Sequence, residues 1–183
     1  MHIERKQESL LRRLKDFYKD EKNMKKLVNV IEKEGDLSRR VLDYLCTNYS
    51  KKHDVSYILV ENGKRAPFNL HVQYRNQLKA YSKMLFDPFR RHERITISCP
   101  YSINKKLETT VAQLNFFRWA IECKVLDWIN KGENLKKVEE DMTKNMQEKK
   151  NKPSPTTKKK KEICKSINKV SKAHNVKITV SFV

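Results

Sequence analysis

Glycine is nearly missing, with three residues in a chain of 183. Gly35, Gly63 and Gly132 are too far apart to build a phosphate-cradling loop, so Walker-type and dinucleotide-type sites are excluded. Cysteine is sparse and scattered. Cys46, Cys99, Cys123 and Cys164 form no C-x-x-C pair, which leaves little case for zinc. Cys46 and Cys123 lie in apolar patterns that suit buried thiols in a reducing compartment. No apolar run approaches the length of a membrane span, and no signal-peptide pattern precedes the charged N-terminus. A soluble protein, intracellular or packaged inside something made there, is expected. Acidic residues never gather in the way a metal-dependent nuclease needs. His53, His71, His92 and His174 have no Cys, Ser or acidic partner at a recognisable spacing. The chain therefore reads as a non-enzyme with no cofactor and no metal.

Positive charge is what the sequence has in excess. It carries 41 Lys and Arg against 22 Asp and Glu, a formal net charge of +19. Residues 1–35 hold +3 of this, residues 36–148 hold +6, and residues 149–183 hold +10. A basic tail is thus added to a moderately basic body. Such a balance favours a polyanionic partner: DNA, RNA or an anionic membrane surface.

The most informative stretch runs from Pro67 to Ile97. Leu70, Val72 and Tyr74 alternate with polar neighbours and suggest a strand, returning over Phe68–Tyr74 from an Asn62-Gly63 hairpin turn. Leu78, Tyr81 (or Ser82) and Leu85 then take helical spacing. Arg75, Lys79 and Lys83 follow at i, i+4 and i+8 on one side of that helix. Asp87-Pro88 ends it, since proline disfavours helical geometry in the residue before it. Phe86 and Phe89 flank the break, and Arg90, Arg91 and Arg94 come next. From Lys64 to Lys106 there are ten Lys or Arg and two acidic residues, a net of +8. The cations can track a phosphate backbone. Tyr74, Tyr81, Phe86 and Phe89 are candidates to stack on bases, although large aromatics are more often core.

The remaining segments frame this stretch. Residues 3–34 read as an amphipathic helix, or two, with a seam of Leu10, Leu14, Phe17, Met24, Val28 and Ile31. A second helix is expected to about Tyr49 and a first strand over Ser56–Glu61. A third strand is expected over Thr96–Cys99, followed by a loop from Pro100 to Glu108. Thr109 or Thr110 caps a helix to about Asn130 that is apolar on two sides, as a central core helix would be. Gly132 stops it, and a short acidic-basic helix follows to about Met146. KKNKPSPTTKKKK, residues 149–161, has no apolar residue to bury. Val176, Ile178, Val180 and Phe182 alternate as a final strand.

The strings LSRRVLDYLCTNYSKKHDVSY, YRNQLKAYSKMLFDPFRRHERI and TTVAQLNFFRWAIECKVLDWI carry a resemblance. Over roughly residues 36–183 the chain resembles a group of uncharacterised proteins of nucleocytoplasmic large DNA viruses, the giant viruses. The resemblance implies a viral origin and a place in a virus factory or virion. It transfers no catalytic or binding residue.

These observations lead to an α+β fold with helices flanking a small, mainly antiparallel sheet of about four strands, the last supplied by the C-terminus. The expected parts are an N-terminal amphipathic helix (1–35), an α+β core (36–148), a lysine-rich loop (149–162) and a short helix with the returning strand (163–183). The expected function is non-catalytic, largely sequence-nonspecific nucleic-acid binding, with DNA favoured over RNA, in genome packaging or the virion core. The contact residues would be Lys64, Arg65, Arg75, Lys79, Lys83, Arg90, Arg91, Arg94, Lys105 and Lys106, with Lys158, Lys159, Lys160 and Lys161 of the loop. The virion, the cytoplasmic virus factory or the nucleus is the expected location. The alternative is a structural virion protein that meets other virion proteins, or itself, through its helices.

Overall fold

The computed structural model describes residues 2–32, 37–61, 63–91 and 93–151. Residues up to Lys144 form one compact unit, and a second begins at Asn145. Of the expected lysine-rich loop (149–162), residues 149–151 are helical instead; its remainder, the short helix and the C-terminal strand lie outside the described residues.

The N-terminal segment is two helices, α1 (His2–Phe17) and α2 (Glu21–Ile31). Asp20 causes the division. Its carboxylate accepts from the backbone N–H of Lys22 at 2.7 Å and of Asn23 at 3.2 Å, which caps a new helix. Leu10, Leu14, Met24, Leu27 and Val28 are buried, so the apolar seam is used within the fold. Ser38 caps α3 (Arg39–Tyr44), which passes through a wider π-helical turn, Leu45–Tyr49, into α4 (Ser50–Lys52).

Strands β1 (Ser56–Glu61) and β2 (Lys64–Asn69) pair antiparallel down to Glu61↔Lys64. Two residues are left for the turn, as Asn62-Gly63 predicts, and Gly63 takes the positive φ of +76° that the turn requires. The expected return strand over Phe68–Tyr74 is wrong beyond Asn69. Helix α5 begins at Leu70 and runs to Leu85. Leu70 and Tyr74 are buried and Val72 is exposed, a spacing of four rather than two. The Asn69 side chain makes this junction. Its Oδ1 accepts from the Val72 N–H at 3.0 Å, while its Nδ2 donates to Asp54 Oδ1 at 2.6 Å and Ser56 Oγ at 3.1 Å. One residue thus caps α5 and ties it to the base of the hairpin.

Strand β3 (Ile95–Ser98) pairs with β4 (Lys106–Thr109), and β4 lies where a plain loop is expected. The α+β class holds. Among the described residues, however, the strands form two separate two-stranded hairpins and not one four-stranded sheet.

Thr110 caps α6 (Val111–Glu122), accepting from the Gln113 N–H at 3.1 Å. A break at Lys124 separates α6 from α7 (Val125–Ile129), and Gly132 precedes α8 (Asn134–Asn151). Helix α6 is buried on nearly every side and serves as the central core helix. Its Phe116 and Trp119 lie 5.3 and 5.5 Å from Phe86 between ring centroids, and Tyr74 closes the cluster at 5.9 Å from Phe86. Two buried amides hold the chain that leaves α5. Asn115 Nδ2 donates to the Leu85 carbonyl at 2.8 Å and Gln113 Nε2 to the Pro88 carbonyl at 2.9 Å. Tyr18 and Tyr44 anchor distant helices: the Tyr18 hydroxyl donates to the Leu114 carbonyl at 2.8 Å, and the Tyr44 hydroxyl to Asp141 Oδ2 at 2.7 Å.

Lys124 breaks the helix with φ 59° and ψ 24°, a left-handed conformation that costs an L-residue about 1–2 kcal/mol. Its Nζ reaches Asp127 at 3.9 Å, an exposed pair of little weight. Lys124→Gly is therefore expected to raise stability by about 1 kcal/mol. Urea unfolding checks it, and an unchanged or lower midpoint would refute the strain.

Candidate nucleic-acid interface

The ten expected contact residues within the described chain all lie on the surface, in two groups. Lys64 and Arg65 open β2, and Arg75 and Lys79 lie on α5. On that helix Val72, Arg75, Asn76 and Lys79 form an exposed face, opposite buried Leu70 and Tyr74. No described acid is ion-paired with Arg75 or Lys79. Lys83 does not continue this row. Ser82, with φ 55° and ψ 172°, interrupts the helix between Lys79 and Lys83. That region is nearly closed to residues other than glycine.

The second group surrounds the β3–β4 hairpin, and part of it is committed to holding the fold. Arg94 Nη1 donates to Glu108 Oε1 at 2.8 Å, and Arg90 Nη1 reaches the Glu108 carbonyl at 3.4 Å. Arg91 Nε lies 3.2 Å from Asp87 Oδ2, and its guanidinium sits 4.7 Å from the centre of the Phe89 ring. Arg90 and Arg94 thus fasten the segment after α5 to β4, while Arg91 braces that segment internally. Lys105 and Lys106 are exposed at the opposite end of the hairpin. Lys158, Lys159, Lys160 and Lys161 lie outside the described residues.

The aromatic candidates divide in the same way. Tyr74 and Phe86 belong to the core, while Tyr81 and Phe89 are half-buried. Sequence reasoning missed the outward side of β1, where Ile58 and Val60 are exposed. The signal was present: a run of four apolar residues, Tyr57–Val60, needs cover on both faces, and a two-stranded hairpin offers it on one. Of the thiols, Cys46 and Cys99 are buried and Cys123 is half-buried. Burial pushes the Cys46 thiol far up, so it stays protonated and inert.

Folding sets two acids beside each other at one site and surrounds a single acid with polar partners at another. Asp43 lies near Asp87, below Arg91. Burial pushes the Asp43 carboxyl up, Asp87 adds to that rise, and Arg91 and Lys83 oppose it. At the other site Asp141 accepts from Tyr44 and pairs with Lys52, and His53 Nε2 lies 3.6 Å away. Burial alone would raise the Asp141 carboxyl, but hydrogen bonds from Lys52, Tyr44 and His53 outweigh it and hold it below the usual range. No group of three or more His, Cys, Asp or Glu is placed to hold a metal ion among the described residues. No described helix is long and apolar enough to cross a membrane.

Comparison with known proteins places similarity along nearly the whole chain. Residues 2–182 match the profile described as "Family of unknown function (DUF7197)". An uncharacterized protein of Acanthamoeba polyphaga mimivirus is 39% identical over 156 residues, covering 84% of this chain and 59% of that protein. The chain thus spans about three fifths of the length of that curated relative. No solved structure matches.

The two shifted carboxyls give opposite pH signatures. Asp43 is raised, so its ionised form costs stability above its folded pKa, and the cost is absent below the unfolded value of about 3.9. Asp141 is lowered, so its ionised form adds stability above about pH 3.9, lost as pH falls through the folded pKa. Asp43→Asn is expected to stabilise at neutral pH and Asp141→Asn to destabilise, both effects fading in acid. Thermal melts from neutral to acid pH check this, and shifts of the same sign would refute it. At the hairpin junction, Asn69→Ala is expected to cost about 1 kcal/mol. A change within error in urea would show that the cap carries no weight.

Proposed function

Since the chain belongs to a giant-virus family of uncharacterised proteins, that of DUF7197, we propose that it is a non-catalytic nucleic-acid-binding protein acting in the virus factory or virion. Genome packaging or core assembly would use such a protein. The exposed basic face of α5 carries the proposal. Arg75 and Lys79 lie one turn apart, in ion pairs with no described acid, directly after a hairpin that presents Lys64 and Arg65. Phosphate contact needs cations of this kind, free to displace counterions. Arg90, Arg91 and Arg94 are secondary contacts, since each already has an internal partner. Lys83, Lys105 and Lys106 extend the surface, and the lysines from Lys158 to Lys161 add an electrostatic arm.

An assembly role through the apolar helical faces has less support. The α1 seam at Leu10 and Leu14, and Leu114, Phe116, Phe117 and Trp119 of α6, are buried inside the fold.

Fluorescence anisotropy with duplex DNA, single-stranded DNA and RNA over a salt series tests the proposal. With about four phosphates neutralised, affinity is expected to fall on the order of 100-fold between about 0.05 and 0.2 M salt. Arg75→Glu with Lys79→Glu is expected to weaken binding alike on all sequences and to flatten the log–log slope by about 0.9 for each phosphate no longer neutralised. Removing residues 149–161 is expected to weaken binding without abolishing it. Absence of binding at physiological salt, or binding indifferent to salt, would reject the proposal.

A further inference from the structure

The two outer edges of the β3–β4 hairpin are in different states. The Cys99 N–H donates to the Lys105 carbonyl at 3.0 Å, which fixes the phase of the ladder. Hydrogen-bonded pairs alternate with non-bonded pairs along an antiparallel ribbon. The register therefore turns the backbone of Ile95 and Ile97 toward β4, and that of Thr96 and Ser98 away from it. By the same phase, Lys106 and Glu108 present their carbonyls on the outer side of β4. Both are occupied: Ser102 Oγ donates to the Lys106 carbonyl at 2.8 Å, and Arg90 Nη1 reaches the Glu108 carbonyl at 3.4 Å. On the β3 side, the N–H and C=O groups of Thr96 and Ser98 have no hydrogen-bond partner among the described residues.

This open edge borders a cleft of about 500 Å³. Thr96, Ile97 and Ser98 all line it. Successive strand residues point to opposite faces, so a space that meets all three lies along the edge of the strand. Leu14 of α1, Tyr18, Met24 of α2 and Leu114 of α6 supply its apolar side. Backbone donors and acceptors at strand spacing, beside an apolar cleft, select one kind of occupant. An extended peptide carries its own N–H and C=O groups at the same repeat and sends alternate side chains to one face. A phosphate backbone, made of acceptors, cannot serve the two carbonyls. A second copy of the hairpin would bring its own α1 and α2 against the same cleft walls.

We propose that β3 is a docking edge for an extended segment of another protein, one with apolar residues at alternate positions. The segment pairs with the backbone of Thr96 and Ser98 and lays the side chain opposite Ile97 against the apolar side of the cleft. This protein-binding role is independent of the nucleic-acid function.

Amide hydrogen exchange on the full chain, followed by NMR, tests it. The Ile97 amide, bonded within the ladder, is expected to exchange slowly, and the Thr96 and Ser98 amides fast. The probe is a short synthetic peptide that alternates valine with threonine. Adding it is expected to slow Thr96 and Ser98. The same peptide N-methylated along its backbone keeps its side chains, loses its donors, and is expected to slow neither. Thr96→Pro removes one outward donor and no ladder bond. Its thermal melt should stay close to wild type while its affinity for the peptide falls about tenfold, the usual effect of leaving a hydrogen-bond partner unpaired. Thr96 and Ser98 amides that stay fast in millimolar peptide overturn the proposal. Equal binding of the methylated peptide, or undiminished binding by Thr96→Pro, does the same. Amides already slow in the free chain also overturn it. If they are slow only at high protein concentration, the edge belongs to a second copy. If removing residues 174–183 makes them fast, it belongs to the chain's own end.

Discussion

The fold depends on how α6 grips the segment that leaves α5. Gln113 and Asn115 are fully buried polar side chains on a helix otherwise surrounded by apolar contacts. Their amides donate to the Pro88 and Leu85 carbonyls, and Thr109 Oγ1 donates to Gln113 Oε1 at 2.9 Å. A chain that stops being helical inside a core leaves carbonyl groups without partners, and burying them unpaired is expensive. The two amides satisfy them. The break can therefore sit against Phe116 and Trp119, with Phe86 packed beneath it. Everything basic on this side of the molecule is placed by that arrangement: Lys79 before the break, the arginine triplet after it.

The surface charge does two kinds of work. Arg91 reaches back to Asp87 within the loop between α5 and β3, and Arg94 ties the end of that loop to Glu108 on β4. Arg75 and Lys79 are ion-paired with no described acid. A basic stretch of one composition thus contains fastenings and free cations side by side, and only the free ones can release counterions without first giving up an internal partner.

Much of the fold was legible in the sequence. The Asn62-Gly63 turn, the Asp87-Pro88 stop, a cap at Thr109 or Thr110 and the two-sided apolar pattern of α6 all act locally, through chemistry carried by the residues themselves. The failures have physical causes too. Leu70, Val72 and Tyr74 fit a period of two, but Leu70 and Tyr74 alone fit a helix equally well. The Asn69 cap decides between them, and its hydrogen bonds to Asp54 and Ser56 come from across the hairpin. Strand β4 is only four residues long and takes its order from pairing with β3. The break at Lys124 uses a residue that seldom adopts left-handed geometry. The basic surface was readable as composition. Its division into tied and unpaired cations was not, because Arg94 and Arg90 find their partners, the carboxylate and the carbonyl of Glu108, on a strand fourteen and eighteen residues away.

Two tyrosine hydroxyls have a bearing on the order in which the chain assembles. Both hairpins and most helices form from neighbours in sequence, whose contacts close on fast timescales. Tyr18 to Leu114 and Tyr44 to Asp141 instead join residues 96 and 97 positions apart. Closing loops of that length costs chain entropy before any contact rewards it. The bonds that seat α1 on α6 and α8 on α3 are therefore expected to form late in folding, after α6 has gathered its aromatic neighbours. Loss of either hydroxyl should quicken unfolding and leave the folding rate almost untouched, a division that chevron kinetics on Tyr18→Phe and Tyr44→Phe would read directly. A slower folding arm in either variant would place that closure earlier.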